Sequence, residues 1–288
     1  MKIRIGFGLG AATVTNDADS FGPFVDTLER LRFDSLWLSE RLTGDAPDPL
    51  VALAFAAGRT SRLKLGTSVI VVPGRNPVVL AKELASLDRL SNGRLLPALG
   101  LGAPNPVEHS AFGVDRKARA PLFDEAVGLM RRLWTEDGVT HHGERFRVEG
   151  VTLRPKPVQQ PIELWLGGTA RSELRRAGRL ADGWLPSFCT VDDLAAGWPV
   201  INDVAPQNLG VLIAYSHDGV PDPVRALLAR RRPDLDPTHV VPVGLDALRE
   251  RVEQFVAVGA SKFVVLPLVD PLDWTTELEQ VAATCKPL

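Results

Sequence analysis

The sequence of 288 residues is poor in cysteine, with two residues, Cys189 and Cys285, that lie far apart without a recognisable spacing. This excludes a disulfide framework and a cysteine-rich zinc site, so we expect reduced thiols and a cytoplasmic protein. The net charge is −2 at pH 7, which gives no reason to expect nucleic acid as a partner. No apolar run approaches the length of a membrane span, so we expect no membrane partner either.

The sequence also lacks the residue sets of several enzyme classes. It has no G-x-S-x-G elbow, no lysine suited to Schiff-base chemistry inside a predicted strand, and no paired carboxylates at neighbouring strand ends. None of the five histidines lies at a predicted strand end, and the adjacent His141 and His142 cannot face one point, so we predict no metal site. These absences favour an enzyme whose bound cofactor carries the chemistry.

What the sequence does contain is a repeating strand–helix pattern. Residues 65–102 predict a strand, a helix and a second strand, because Asn76 can cap a helix that Pro77 begins and apolar residues recur on one helix face. Strands joined by a crossover helix run parallel. The predicted strands are residues 3–9, 35–39, 63–71, 95–100, 162–166, 183–187, 209–214 and 262–268.

Helical patterns fall between these strands and after the last one. They cover residues 19–31, 49–59, 77–90, 119–134, 170–181, 191–201, 245–258 and 272–285. Eight strands alternating with eight helices predict an α/β fold, a closed (β/α)8 TIM barrel, as a single domain over residues 1–288. Residues 135–160 are too long for a plain connection and predict an extended insertion between helix 4 and strand 5, with a hairpin or extended excursion at 146–153.

An alternative fold arises from residues 6–11, GFGLGA, which match the G-x-G-x-x-A pattern of a dinucleotide-binding Rossmann fold. Only five residues precede the first glycine, however, and the next predicted helix begins too late to receive a pyrophosphate. The barrel is therefore the favoured prediction.

Active sites of such barrels lie at the carboxyl ends of the strands. Gly8, Gly100 and Gly102 occur there and would let a flat group approach the backbone, although such glycines can also serve tight turns. Gly167, Gly168 and Thr169 directly precede a predicted helix, whose free amide groups and dipole favour a phosphate. The alternative is that Thr169 is only a helix N-cap.

Six segments together resemble the bacterial luciferase-like family of flavin- and deazaflavin-dependent oxidoreductases, in its actinobacterial deazaflavin branch. The likeness extends to about residue 187 and thins after residue 190. The segments are SLWLSER, LGTSVIVVPGRNPVVLAKELASLDRLSNGRL, EHSAFGVDRKAR, LMRRLWTEDGVTHHGERFRV, LRPKPVQQPIELWLGG and LRRAGRLADGWLP.

This resemblance implies a TIM barrel with coenzyme F-420, or alternatively FMN, in its mouth. It implies a cis peptide at Ser68–Val69 behind the ring, a phosphate on residues 167–170, and a hydrogen bond from the ring to Glu40. A salt bridge of Glu40 with Arg41 or another basic residue of the rim is the alternative. The implied cofactor-binding residues are Gly8, Glu40, Thr67, Ser68, Val69, Gly100, Gly102, Asn105, Gly167, Gly168, Thr169 and Ala170.

Two departures limit what the resemblance implies. Sugar-phosphate dehydrogenases of the family have Asp-His where this chain has Glu40-Arg41, and an acidic residue where it has Ala103, so we expect a different substrate. The candidate catalytic residues are Glu40 and Arg41. Arg41 stays protonated and cannot be a general base, but it can hold an anionic substrate or stabilise charge on the ring.

We therefore expect hydride transfer from reduced coenzyme F-420 to a small unsaturated or carbonyl substrate. The alternatives are an FMN-dependent monooxygenase and a catalytically silent cofactor-binding barrel. We expect the substrate pocket to use loops around Val14, Thr43, Asn105 and Phe188. The resemblance also implies a homodimer, formed through barrel helices.

Overall fold

The computed structural model describes residues 2–11, 13, 15–202, 208–233 and 235–286. Eight parallel strands close a barrel, and β5 and β6 form a separate antiparallel hairpin. The strands are β1 (Arg4–Leu9), β2 (Ser35–Leu38), β3 (Lys64–Val71), β4 (Leu95–Gly100), β5 (Val139–His142), β6 (Arg147–Val151), β7 (Trp165–Leu166), β8 (Gly183–Trp184), β9 (Asn208–Tyr215) and β10 (Lys262–Pro267).

Helices follow the strands and surround the barrel, which confirms the predicted TIM-barrel class and shows that the Rossmann alternative is wrong. No helix in the described ranges is long and apolar enough to cross a membrane. The helices are α1 (Ala18–Arg30), α2 (Pro49–Arg59), α3 (Pro77–Leu90), α4 (Pro106–Ala111), α5 (Arg119–Thr135), α6 (Arg171–Leu180), α7 (Val191–Asn202), α8 (Asp222–Arg231), α9 (Leu245–Ala257) and α10 (Trp274–Cys285).

The helix starts follow from local chemistry. The Asn76 side chain accepts hydrogen bonds from the Val78 and Val79 amides at 2.9 and 3.2 Å, and Pro77 begins α3 without losing a bonded amide. Asp48 and Pro49 start α2 in the same way. Both helices have the bounds that the sequence predicts.

The barrel interior is filled by apolar side chains. Trp37 and Trp165 meet edge to face, with ring centroids 6.2 Å apart, and Leu96, Ala98, Leu185 and Val264 complete this cluster. Gly66 is required beside it, since a Cβ there would lie 2.3 Å from Trp37. The barrel is therefore a packed core rather than a pore.

Two predicted strands are longer than the strands of the structure, because a carboxylate and a proline interrupt the backbone hydrogen bonds between strands. In the predicted strand 162–166, the Leu164 amide bonds the Asp182 carboxylate at 2.9 Å, and only Trp165–Leu166 pair as β7. In the predicted strand 183–187, Pro186 has no amide hydrogen to donate and β8 ends at Trp184, although Ser187 still forms an isolated parallel bridge with Leu212.

Several elements were missed or differ from the prediction. The insertion contains a hairpin, but its first strand, β5, lies before the predicted 146–153 segment. The short helices α4 and α8 were not predicted. The sequence also predicted no histidine at a strand end. That prediction is wrong, because β9 runs to Tyr215 and His217 lies two residues beyond it.

Candidate functional site

The predicted site residues lie along one arc of the barrel mouth. Apart from Thr67, which lies in the middle of β3, they occur near or beyond the carboxyl ends of β1, β2, β3, β4 and β7, which are consecutive around the barrel. The loop around Val14 cannot be included, because Val14 lies outside the described residues.

A bulge interrupts β3 at the mouth. The Ser68–Val69 peptide is cis, which confirms the expectation from the resemblance, and the register of β3 against β4 shifts between Ser68 and Ile70. Ser39 Oγ donates to the Ser68 carbonyl at 2.9 Å. A Cβ at Gly100 would lie 2.4 Å from Val69 Cγ2, so Gly100 is the residue that gives Val69 its space.

Glu40 is tied to this bulge rather than free in the mouth. Its side chain is 2% exposed and forms an ion pair with Arg75, while its second oxygen accepts from the Val71 amide at 2.5 Å. Its own amide donates to the Val69 carbonyl at 3.1 Å. Burial raises the pKa of Glu40 despite these partners. The salt-bridge alternative therefore describes this structure, with Arg75 as the partner instead of Arg41.

The loop that carries Arg41 is anchored by a buried carboxylate that the sequence did not single out. Glu108, on α4, accepts hydrogen bonds from the Leu42 amide at 3.1 Å and from the Thr43 amide at 3.0 Å. Burial alone would raise the pKa of Glu108, but the bonds from Thr43 and Leu42 outweigh it and lower that pKa. Arg41 itself is exposed. Asn105 caps α4 by accepting from the Val107 amide at 2.9 Å.

Other predicted cofactor residues make contacts within the barrel wall. Thr67 Oγ1 donates to the Ala98 carbonyl at 2.8 Å and is buried. A Cβ at Gly8 would lie 3.1 Å from Leu266, so that glycine faces a neighbouring strand's side chain. The Gly102 carbonyl accepts from Arg119 at 3.0 Å.

The predicted phosphate seat has the expected backbone form, but the chain's own carboxylate fills it. The Thr169 and Ala170 amides donate to Glu173 Oε2 at 3.1 and 3.0 Å. Gly168 has a φ of +90°, and a Cβ there would lie 2.4 Å from the same oxygen. The N-cap of α6 is Ala170, so the alternative of Thr169 as N-cap is wrong.

Sequence reasoning missed both Glu173 and Arg75. A glutamate three residues beyond an N-cap is the signal of a capping box, and could have revealed Glu173. Arg75 carries no local signal, since it meets Glu40 across 35 positions of sequence. The predicted site residues other than Thr67 thus lie at the mouth, but several are held by partners within the chain.

A further cluster lies at the rim beyond β9. Tyr215 Oη donates to Glu277 Oε1 at 2.5 Å, and His217 Nε2 lies 3.0 Å from each oxygen of Glu277. Burial and the Glu277 charge raise the pKa of Tyr215. Within the described ranges, no group of three or more His, Cys, Asp or Glu residues could hold a metal ion.

Comparison with known proteins adds a family and a fold. Residues 2–204 match the profile of the family described as luciferase-like monooxygenase. The coenzyme F-420-dependent glucose-6-phosphate dehydrogenase of Kineococcus radiotolerans is 33% identical over 183 residues, which cover 58% of this chain and 53% of that protein. The chain spans about half the length of the first curated relatives it matches.

Two solved structures superpose along nearly their whole length. The coenzyme F-420-dependent tetrahydromethanopterin reductase of Methanopyrus kandleri has a TM-score of 0.81 at 17% identity, covering 100% of this chain and 99% of that one. The oxygenating constituent of 3,6-diketocamphane monooxygenase from Pseudomonas putida, solved with FMN, has a TM-score of 0.77 at 18% identity, with the same coverage. At such identities the likeness shows the fold alone.

Proposed function

The chain belongs to the luciferase-like monooxygenase family, and we propose that it is a coenzyme F-420-dependent oxidoreductase acting on a small molecule. Bound in the mouth, the reduced deazaflavin would supply a hydride for an unsaturated or carbonyl carbon of the substrate. The family and a relative named for its dependence on this coenzyme support the proposal.

The observation that carries the proposal is the carboxylate seated at the start of α6. Glu173 Oε2 receives two amide hydrogens, from Thr169 and Ala170. It stands in for a phosphate oxygen at a helix N-terminus, where backbone amides and the helix dipole favour an anion. Gly167, Gly168, Thr169 and Ala170 would hold the cofactor phosphate once Glu173 turns away.

The adjoining mouth fits a planar ring. Val69 and Leu212 are partly buried and pack on the apolar interior cluster, so they offer an apolar floor. Gly100 adds no side chain, and the Glu40–Arg75 pair fixes the backbone at Val71. The protein's contribution is to orient the ring and substrate and to exclude water.

Arg41 is the residue that we assign to the substrate. Its guanidinium group can donate paired hydrogen bonds to an anionic group, and Glu108 holds the loop that follows it. Arg41 would hold an anionic group or stabilise charge on the ring. Glucose 6-phosphate, named for the relative, is disfavoured here because Glu40, Arg41 and Ala103 depart from the sugar-phosphate dehydrogenase pattern.

A flavin version remains the second candidate, because a structural neighbour was solved with FMN. FMN also carries a terminal phosphate and would use the same α6 start. With FMN, the chain would act as a monooxygenase that consumes dioxygen, whereas a deazaflavin favours hydride transfer.

Cofactor titration tests the proposal. Purified protein is titrated with coenzyme F-420, its phosphate-free deazaflavin core, FMN and riboflavin, with ring fluorescence as the readout. We expect coenzyme F-420 to bind most tightly, and its phosphate-free core at least about tenfold more weakly, a difference of about 1.4 kcal/mol. Tight FMN binding without coenzyme F-420 binding would overturn the choice of cofactor.

A turnover assay then distinguishes an active oxidoreductase from a catalytically silent cofactor-binding barrel. Reduced coenzyme F-420 is followed by absorbance with a panel of enones, quinones and nitroaromatics as acceptors. We expect saturable oxidation with at least one acceptor, and a rise in KM for anionic acceptors in Arg41→Gln. Tight binding without turnover of any acceptor would favour the catalytically silent alternative.

We also propose that the protein works as a homodimer in the cytoplasm. The exposed apolar side chains Val51 and Phe55 on α2 support an interface on that helix. Sedimentation equilibrium should give twice the 31.2 kDa chain mass, and Val51→Glu should reduce the dimer. A wild-type monomer at micromolar concentration would contradict this.

A further inference from the structure

A cavity of about 750 Å³ opens on the N-terminal face of the barrel, at the end opposite the mouth. We call it the basal cavity. Ile3, Ile5 and Phe33 contribute apolar surface to it. Its charged lining residues are Lys2, Arg4, Arg32, Asp34, Arg62, Lys64 and Lys286.

The basal cavity is strongly positive, because six cationic residues line it with one carboxylate. The whole chain carries a net charge of −2, so the excess is local. The single carboxylate, Asp34, is already engaged, since Oδ2 lies 2.5 Å from Lys262 Nζ and Oδ1 lies 3.9 Å from Lys64 Nζ. It has little capacity left to neutralise the remaining cations.

Helix capping accounts for two of these cations. Lys286 donates to the Leu31 carbonyl, and Arg62 donates to the Glu29 carbonyl at 2.6 Å. Both carbonyls lie at the C-terminal end of α1, where cations are favourable. Capping of α1 is therefore a sufficient explanation for Arg62 and Lys286.

Capping does not account for the other arginines or for Lys2. Arg4 Nη2 lies 3.4 Å from Ser261 Oγ, and Arg4 Nε is buried without a hydrogen-bond partner in the described residues. For the side chains of Lys2 and Arg32, the described part of the chain provides neither a hydrogen bond nor an ion pair. Lys2 and Arg32 are exposed and line the cavity, so their donors are open to a ligand.

The cations also repel one another. Burial, followed by the charges of Arg62 and Arg32, lowers the pKa of Lys286. A bound anion would relieve this repulsion and supply acceptors to the unpaired side chains of Lys2 and Arg32. The cluster therefore has both the positive charge and the accessible unpaired donors of an anion site.

We propose that the basal cavity binds a small organic anion that carries at least two phosphate groups. Its volume lies within the range of small-molecule sites. Guanidinium groups match phosphate oxygens in paired geometry, and the apolar wall suits the organic part of the ligand. No residue predicted to bind the redox cofactor lines this cavity, so the inference does not depend on the proposed function.

Calorimetric titration with inorganic pyrophosphate, at an ionic strength of about 0.15 M, tests the inference. We expect saturable binding of one pyrophosphate per chain. Arg32→Glu should raise Kd at least about tenfold. The matched control is Arg230→Glu on α8, which makes the same change of charge at an exposed site away from the cavity, and should alter Kd less than about twofold. Both arginines are exposed, so neither variant should prevent folding.

The outcomes are decisive in either direction. Binding that persists with saturating coenzyme F-420 or FMN at the mouth, and that raises the thermal midpoint of the wild type but not of Arg32→Glu, supports the basal site. Absence of saturable binding overturns it, as does an equal loss in Arg32→Glu and Arg230→Glu. Equal affinity for citrate and pyrophosphate would overturn the phosphate assignment.

Discussion

The Glu173 carboxylate accepts a hydrogen bond from the Ala170 amide at 3.0 Å, and so occupies the anion position at the start of α6. A cofactor phosphate that uses this position must compete with that carboxylate. We predict that Glu173→Gln tightens binding of coenzyme F-420 by about three- to tenfold, because one unit of like charge disappears. The phosphate-free deazaflavin core should bind the variant and the wild type equally.

The control for this prediction is Glu250→Gln, which removes one negative charge from an exposed site on α9. It should leave both affinities unchanged. If Glu173→Gln weakens coenzyme F-420, or changes the phosphate-free core by the same factor, the phosphate does not use the amides of Thr169 and Ala170.

Glu40 and Arg75 allow a test of how Glu40 acts. Both fix the backbone near Val71, so we predict that Glu40→Gln and Arg75→Met weaken cofactor binding by similar factors. Glu40→Gln should also reduce the free energy of unfolding by about 1–3 kcal/mol, because it removes the nearer of the two carboxylates that pair with the partly buried guanidinium of Arg75 and leaves only Asp48, at 3.8 Å. Urea denaturation and fluorescence titration measure the two effects.

The double variant completes this test. If Glu40 acts through Arg75, Glu40→Gln with Arg75→Met should weaken cofactor binding little more than either change alone. A direct contact from Glu40 to the cofactor ring would instead make the Glu40→Gln effect large and the Arg75→Met effect small, with the two adding in the double variant.

The barrel could be predicted because its signals are local. Asp48-Pro49 and Asn76-Pro77 mark the starts of α2 and α3, and apolar periodicity marks their buried faces. The prediction failed where tertiary contacts replaced local ones. The Asp182 carboxylate takes the Leu164 amide, and no pattern within residues 162–166 shows that.

The same difference between local and tertiary contacts decides which features of the site could be predicted. Backbone features were predictable, since Gly167-Gly168 before a helix and the Ser68–Val69 peptide follow from local sequence and resemblance. The side-chain partners of the site residues could not be predicted, because Arg75 contacts Glu40 and Glu108 contacts Thr43 only after the loops fold together. Contacts over 35 and 65 positions of sequence leave no periodic trace.

Packing inside the barrel gives a stability prediction. A Cβ at Gly66 would lie 2.3 Å from Trp37 Cδ2, so Gly66→Ala must displace the indole and should cost about 1–3 kcal/mol of unfolding free energy. The matched control is Gly58→Ala, where nothing lies within 4 Å of the added Cβ in an exposed turn of α2. That change should stabilise the protein by about 0.5–1 kcal/mol. Equal effects of both substitutions in urea denaturation would refute the packing argument.

The two thiols should be nearly inert in the folded protein. Burial raises the pKa of Cys189 to about 12 and that of Cys285 to about 11. Because the thiolate is the reactive form, a disulfide reagent at pH 8 should modify native Cys189 and Cys285 about 100- to 1000-fold more slowly than in denaturant. Cys285→Ser assigns the two rates, and rapid modification of either native thiol would contradict the burial.

Lys262 predicts how the free energy of unfolding depends on pH, because its amine is buried inside the barrel. Its side chain is 1% exposed and its Nζ lies 2.5 Å from Asp34. Burial lowers the pKa of Lys262 from 10.5 to about 8, although Asp34 opposes the shift. Between these two values the unfolded chain holds a proton that the folded chain has released. The free energy of unfolding contributed by Lys262 therefore rises with pH across this window.

Lys262→Met removes the titrating group while keeping a chain of similar length. From below pH 8 to above pH 10.5, the wild type should gain stability relative to Lys262→Met. The gain in unfolding free energy should be about 3 kcal/mol in total. Lys117→Met, at an exposed position, should give a flat difference over the same range. Urea denaturation at several pH values measures both, and a difference that falls with rising pH for Lys262→Met would reverse the sign of the argument. That result would mean that attraction to Asp34, rather than loss of hydration, dominates the energetics of this buried amine.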